Sequence, residues 1–109
     1  MAVYACNAGF TELAKLGAGE TAAAWTHIAL GTGTGQNASD TTLDTETAAS
    51  GLARVGATMS TVTTTVSYDT IQAYKVFTAG ATATITEAGV FNASSSGDML
   101  MVGDLAPSA

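Results

Sequence analysis

The sequence predicts a mainly β protein: an antiparallel β-sandwich or partial barrel with one short N-terminal helix. Three observations predict it. The second half is a succession of short stretches in which apolar residues alternate with threonine and serine, the period of a half-buried strand. β-Branched and small residues predominate there, which suits a pleated surface. Helical spacing of apolar residues is confined to a stretch that begins near Asn7 and is stopped by Gly17 and Gly19. At 109 residues the chain makes one domain, 1–109, with no sequence repeat.

Taken in order, residues 1–7 admit a strand or an arm. Phe10, Leu13, Ala14 and Leu16 then fall near helical spacing, with Thr11 and Glu12 in the first turn. A helix is predicted over Ala8 to Leu16, so short that packing must hold it. Ala24 to Leu30 reads as a strand, with Trp25, His27 and Ala29 on one face and Thr26, Ile28 and Leu30 on the other. The glycine-spaced run Gly31-Thr32-Gly33-Thr34-Gly35 opens a loop over 31–51, in which Leu43 is the only large apolar residue. A structureless segment of about twenty residues is long for a compact domain and is usually functional. An arm lying on a neighbouring subunit would suit it, with Gly33, Thr34, Gly35, Gln36, Asn37 and Asp40 as assembly contacts.

Further strands are predicted over Leu52 to Met59 and over the stretch in which Val62, Val66 and Tyr68 alternate with hydroxyl residues. After a turn at Tyr68-Asp69-Thr70, others follow over Ile71 to Thr78 and Ala81 to Ile85. Ile85 to Asn92 is an apolar, strand-like run interrupted by Glu87 and Gly89. Asn92 to Gly97 is a Ser/Gly turn, Asp98 to Leu105 the final strand, and Pro107 its end.

Charged residues form only 11% of the chain, against roughly 25% in ordinary soluble domains. Its polarity comes from hydroxyls and amides, which can be re-paired across a contact, and charges are depleted at interface cores. The composition therefore favours a subunit covered by neighbours. Three basic side chains and a net charge of −6 argue against nucleic acid, which needs clustered Lys and Arg, and against anionic membrane. No apolar run approaches membrane-spanning length. Cys6 is the only cysteine, so no intrachain disulfide forms, and it reads as a small buried residue. Residues 1–5 lack the basic and apolar regions of a lipoprotein signal, so the expectation is synthesis in a reducing cytoplasm, or export by something other than a signal of its own.

The residues that could carry chemistry carry little pattern. His27, the only histidine, has no nucleophile-elbow serine to serve and reads as a packed structural residue beside Trp25. The glycine run lacks the register of a dinucleotide or phosphate loop, because Gln36 stands where glycine is needed and no Lys-Ser/Thr follows. Asp40, Asp44 and Glu46 do not have calcium-loop spacing. No catalytic residue, cofactor or metal is therefore expected, and the chain reads as a non-enzyme. Glu87 remains. A carboxylate inside an apolar strand must either reach water or meet a cation, and the candidates are Lys15, Arg54 and Lys75.

Several stretches together resemble the N-terminal domain of the tail-collar fibre proteins of tailed bacteriophages. Asn7-Ala8-Gly9-Phe10-Thr11-Glu12-Leu13-Ala14-Lys15-Leu16 resembles that family's initial helix. Trp25-Thr26-His27-Ile28-Ala29-Leu30-Gly31-Thr32-Gly33 is similar to its aromatic-Thr-His-Ile-Ala-Leu-Gly signature. Leu43, Glu46 and Arg54 resemble its Leu…Glu…Arg segment, with a longer spacer before the arginine. The runs Ile85 to Asn92 and Met99 to Leu105 resemble its closing motif. The resemblance implies a non-enzymatic virion protein made in the host bacterial cytoplasm. It implies a homo-oligomer, trimer or higher, whose partners are other virion proteins. It also implies a structural ion pair between Glu87 and Arg54. The family's fibres continue into a shaft and receptor-binding tip, whereas this sequence ends at Ala109, so the expectation is the part that attaches at the tail, collar or baseplate, or a stand-alone relative used as a small surface subunit. A head decoration protein stabilising the capsid is the alternative. A carbohydrate- or receptor-binding module stacking sugars on Trp25, Tyr68 or Tyr74 is a further one.

Overall fold

The computed structural model describes residues 3–82 and 84–105, with strands β1 (Val3–Ala5), β2 (His27–Gly31), β3 (Val55–Gly56), β4 (Thr58–Val62), β5 (Thr70–Tyr74), β6 (Glu87–Phe91) and β7 (Met99–Asp104), and one helix, α1 (Asn7–Ala18). The protein is mainly β, and every strand pairing is antiparallel. Five strands form one sheet in the order β1-β7-β6-β2-β3, open at β1 and β3; β4 and β5 form a separate hairpin.

The hydrophobic core lies on one face of the large sheet, where Ala29, Phe91, Met99 and Val102 meet Cys6 and Leu43. Alternation along β6 explains the face: Glu87, Gly89 and Phe91 are buried while Ala88 and Val90 between them are half-buried. Between β6 and β7 the register slips, Val90 facing Met101 but Phe91 facing Met99, so Leu100 is the extra residue of a bulge. The Leu100 carbonyl accepts the Cys6 N–H at 2.9 Å, and a side chain at Gly9 would meet that carbonyl at 2.7 Å. Only glycine lets α1 approach the bulge this closely.

That contact fixes the start of the helix and leaves its later apolar residues uncovered. Gly9 and Glu12 are buried, whereas Phe10 (57% exposed), Leu13 and Leu16 are exposed. The helix starts one residue earlier and runs through Gly17; Gly19, left-handed at φ 77°, ends it, and the Gly19 and Glu20 N–H groups bond back to Leu16 and Lys15.

The strand predictions hold at both ends of the chain and fail in the middle. The expected strand over Leu52 to Met59 breaks at Ala57, whose N–H bonds to Thr26, and the chain passes there from the large sheet to the hairpin. Val66 and Tyr68 lie in the β4–β5 connection, because the Asp69 carboxylate accepts the N–H groups of Thr64 (2.9 Å), Thr65 (3.1 Å) and Val66 (3.0 Å) and curls the backbone out of a ladder. The Ile71 to Thr78 prediction ends early, at Tyr74. Ala81, Thr82, Thr84 and Ile85 are in no strand. Ala83 and Pro107 lie outside the described residues. No helix among the described residues is long and apolar enough to cross a membrane.

Candidate functional site

Segment 32–46 leaves β2 and returns alongside it. Thr32 donates to Thr45 at 2.9 Å, Thr47 donates to Leu30 at 2.8 Å, and Gly31 forms an isolated bridge with Glu46. This fold-back brings three backbone N–H groups over Glu87, which the β2–β6 register sets opposite Gly31. Oε1 accepts from Asp44 N at 2.8 Å, and Oε2 accepts from Thr45 N at 3.1 Å and from Gly33 N. The neighbouring Thr86 hydroxyl donates to the Gly33 carbonyl at 2.7 Å. Glu87 is fully buried. Three oriented amide dipoles offset the loss of its hydration, so no cation is required.

The glycine spacing of the loop follows from this cradle. A Cβ at Gly33 would fall on the Glu87 carboxylate and on the Asp44 side chain; one at Gly31 would meet the Thr45 carbonyl at 2.6 Å and Glu87 Cγ at 2.7 Å.

The expected Arg54–Glu87 pair is not formed. Arg54 binds Glu46 in a two-pronged contact, Nε to Oε2 at 3.0 Å and Nη2 to Oε1 at 2.6 Å. Its guanidinium lies 3.7 Å from the Phe91 ring centroid, and Nη1 donates to the carbonyls of Ser96 at 2.7 Å and Ala93 at 3.2 Å. The planar fork thus ties the end of the long loop to the β6–β7 turn, while backbone amides serve the buried carboxylate. Glu46 and Arg54, two members of the Leu…Glu…Arg segment, are each other's partners.

The loop is not a free arm. Leu43 sits in the core, Gln36 is buried, and the Ala38 carbonyl accepts the N–H of Asn7 at 2.8 Å at the start of α1. Asn37 and Asp40 close a local turn: Asp40 Oδ2 accepts from Asn37 N at 2.9 Å, and Asn37 Oδ1 accepts from Ser39 N at 2.9 Å. Of the six residues expected to be assembly contacts, Gly33 is spent on the cradle and Gln36 is enclosed. Asp40 is half-buried, and Thr34, Gly35 and Asn37 present an outward surface. The Gln36 amide and the Trp25 indole N–H are buried without a partner among the described residues.

Cys6 is buried at the head of α1, and burial, with the Asp40 carboxylate adding to it, pushes its thiol up. His27 is half-buried, with Nδ1 at 2.6 Å from the Thr26 hydroxyl. Trp25 is buried, in contrast to Tyr68 and Tyr74, which are exposed.

What the sequence reading missed is apolar surface. A cleft of about 570 Å³ opens between α1 and the hairpin, lined by Leu13, Leu16, Trp25, Met59 and Ile71. A second, of about 300 Å³, lies on the other face of the large sheet against Ile28, Val90, Met101 and Ala73. The signal was present in the helix itself: a glycine at a helix–strand crossing marks the packed side, and Leu13 and Leu16, one turn on from Gly9 and Glu12, continue that side into the cleft. Scans against protein-family models, curated proteins and solved structures found no match for this chain.

Proposed function

We propose that this chain is a structural subunit of a tailed-phage virion, attached at the tail, collar or baseplate through protein–protein contacts in the manner of a fibre-attachment domain. The observation that carries the reading is the uncovered apolar surface of a chain with only 11% charged residues. Leu13 and Leu16 on α1 line the 570 Å³ cleft with Ile71 of the hairpin, and Phe10 and Tyr74 are exposed besides. An exposed apolar surface of this kind marks a contact waiting for a partner. The likeness to tail-collar fibre proteins over the helix, the Trp25 to Gly33 run and the closing motif supplies the setting.

The test is localisation. Gold-labelled antibody against the chain, viewed on intact particles by electron microscopy, is expected to mark the tail or its junction with the head, in a copy number that is a small multiple of three or six. Label spread over the shell in hundreds of copies would replace this reading with head decoration. A chain that remains a monomer and joins no particle would remove both.

A further inference from the structure

We infer that β1 is a docking edge for a second copy of this chain, joining two large sheets across a twofold axis at Tyr4. The inference deepens the proposal above by naming one contact of the assembly, and rests on that reading for its setting alone.

Among the described residues β1 is an outer strand of the five-stranded sheet, paired with β7 on one side only. Its register sets Val3 opposite Gly103, Tyr4 opposite Val102 and Ala5 opposite Met101. The Cys6 N–H bonds to the Leu100 carbonyl. Bonded pairs alternate along an antiparallel ladder, so Tyr4 and Cys6 turn their backbone groups toward β7 and Val3 and Ala5 turn theirs outward. All three residues of β1 are exposed.

Outer strands are ordinarily protected by charge, proline, a bulge or extreme shortness. The opposite edge, β3, is two residues long. In the hairpin, β5 is flanked by Asp69 and Lys75. β1 is one residue longer than β3, holds neither charge nor proline, and no charged side chain precedes Glu12.

The occupant follows from symmetry and charge. An antiparallel copy of β1 centred on Tyr4 pairs Val3 with the partner's Ala5 and Ala5 with the partner's Val3. Every outward N–H and C=O of these two residues is then satisfied. Tyr4 meets its own copy in a non-bonded pair, where aromatic side chains lie closest. Each chain carries −6, and an uncharged strand brings two copies together with no like charges at the axis.

The test uses the purified chain in a Cys6→Ala background. Mild oxidation of Tyr4→Cys is expected to give a disulfide-linked dimer, because residues directly opposite in a non-bonded pair lie about 4.5 Å apart at Cα, within disulfide reach. Val3→Cys, one position from the axis and so two positions out of register with its own copy, is expected not to cross-link. The otherwise unaltered chain should have twice its monomer mass by light scattering, and the double substitution Val3→Pro with Ala5→Pro, which removes both outward N–H groups without touching the β7 ladder, should return it to monomer. Equal cross-linking of the two cysteine variants, or a monomer at every concentration, would overturn the inference; the cross-link decides it even if the proline variant fails to fold. A monomer found on particles would sink the twofold contact and leave the proposed function, whereas a dimer found on none would do the reverse.

Discussion

Two carboxylates in this molecule perform the same task under opposite conditions. Glu87 accepts three backbone N–H groups inside the protein, and Asp69 accepts three in the exposed β4–β5 connection. Each pins a hydroxyl-rich segment that has no ladder of its own. The difference is the alternative open to the donors. Water can replace Asp69, which is exposed, whereas Glu87 is fully buried, and removing it would leave the Gly33, Asp44 and Thr45 amides pointing at an apolar space. The same hydrogen-bond count therefore carries very different weight: the Glu87 cradle is part of the fold, and the Asp69 turn shapes one connection.

The largest expected effect follows directly. Glu87→Leu keeps an apolar side chain of similar bulk but strands three N–H groups, each costing about 1–3 kcal/mol, so a loss of roughly 4 kcal/mol or more is expected. That is a large part of the total stability of about 5–15 kcal/mol typical of a domain, and denaturant unfolding should show a sharply lower midpoint or no transition at all. A loss below about 1 kcal/mol would mean that the amides find water, and the contrast with Asp69 would collapse.

How much of this was legible in the sequence depends on what each residue bonds to. Glu87 stood out because a carboxylate in an apolar run demands an account, and its burial was readable as one of two choices. Its partners were not, because they are backbone amides of Gly33, Asp44 and Thr45, and backbone donors leave no mark in a sequence. Pairing it with Arg54 failed for that reason. Arg54 was a sound choice of buried cation, but Glu46 lay nearer in the chain and Phe91 offered a face to stack on. The terminal strands, with strong apolar runs, were read within a few residues; the threonine-rich middle was not, since alternation of hydroxyls with valine fits a strand and a side-chain-capped turn equally.

Gly33→Ala sharpens the comparison from the donor side. The added methyl would overlap the carboxylate and the Asp44 side chain, so the loop must back away from Glu87, at about 1–3 kcal/mol. Gly35→Ala is not a substitute control, because its φ of 79° brings strain of its own. Thr34→Ala, on the exposed segment between them, is expected to leave the denaturation midpoint unchanged. Equal losses at positions 33 and 34 would show that the cradle is not what fixes the loop.

Arg54→Ala comes next, at about 2 kcal/mol. The Glu46 it leaves is partly exposed and can be hydrated, which discounts the ion pair, but the cover over Phe91 and the donors to Ala93 and Ser96 are lost. Arg54→Lys retains the charge and should recover only part of the loss, because an ammonium cannot span both oxygens of Glu46 and lie flat on the ring. Full recovery by lysine would mean that charge alone matters there.

The smallest effect is expected at Asp69, and pH reveals it without mutation. Its bonds to Val66, Thr64 and Thr65 hold the carboxyl well below the usual carboxylate range. A depressed folded-state pKa stabilises fully above the unfolded value, about 3.9, and that contribution is lost as pH falls from there toward the folded pKa. The β4–β5 connection should thus be indifferent to pH from neutrality to about pH 4, and loosen only in stronger acid. Asp69→Ala should reproduce the acid state at pH 7: amide exchange at Thr64, Thr65 and Val66 quickens while exchange in β6 and β7 does not change. If the β6 and β7 amides lose protection as well, the exposed turn is coupled to the core. The two carboxylates would then differ in location and not in role.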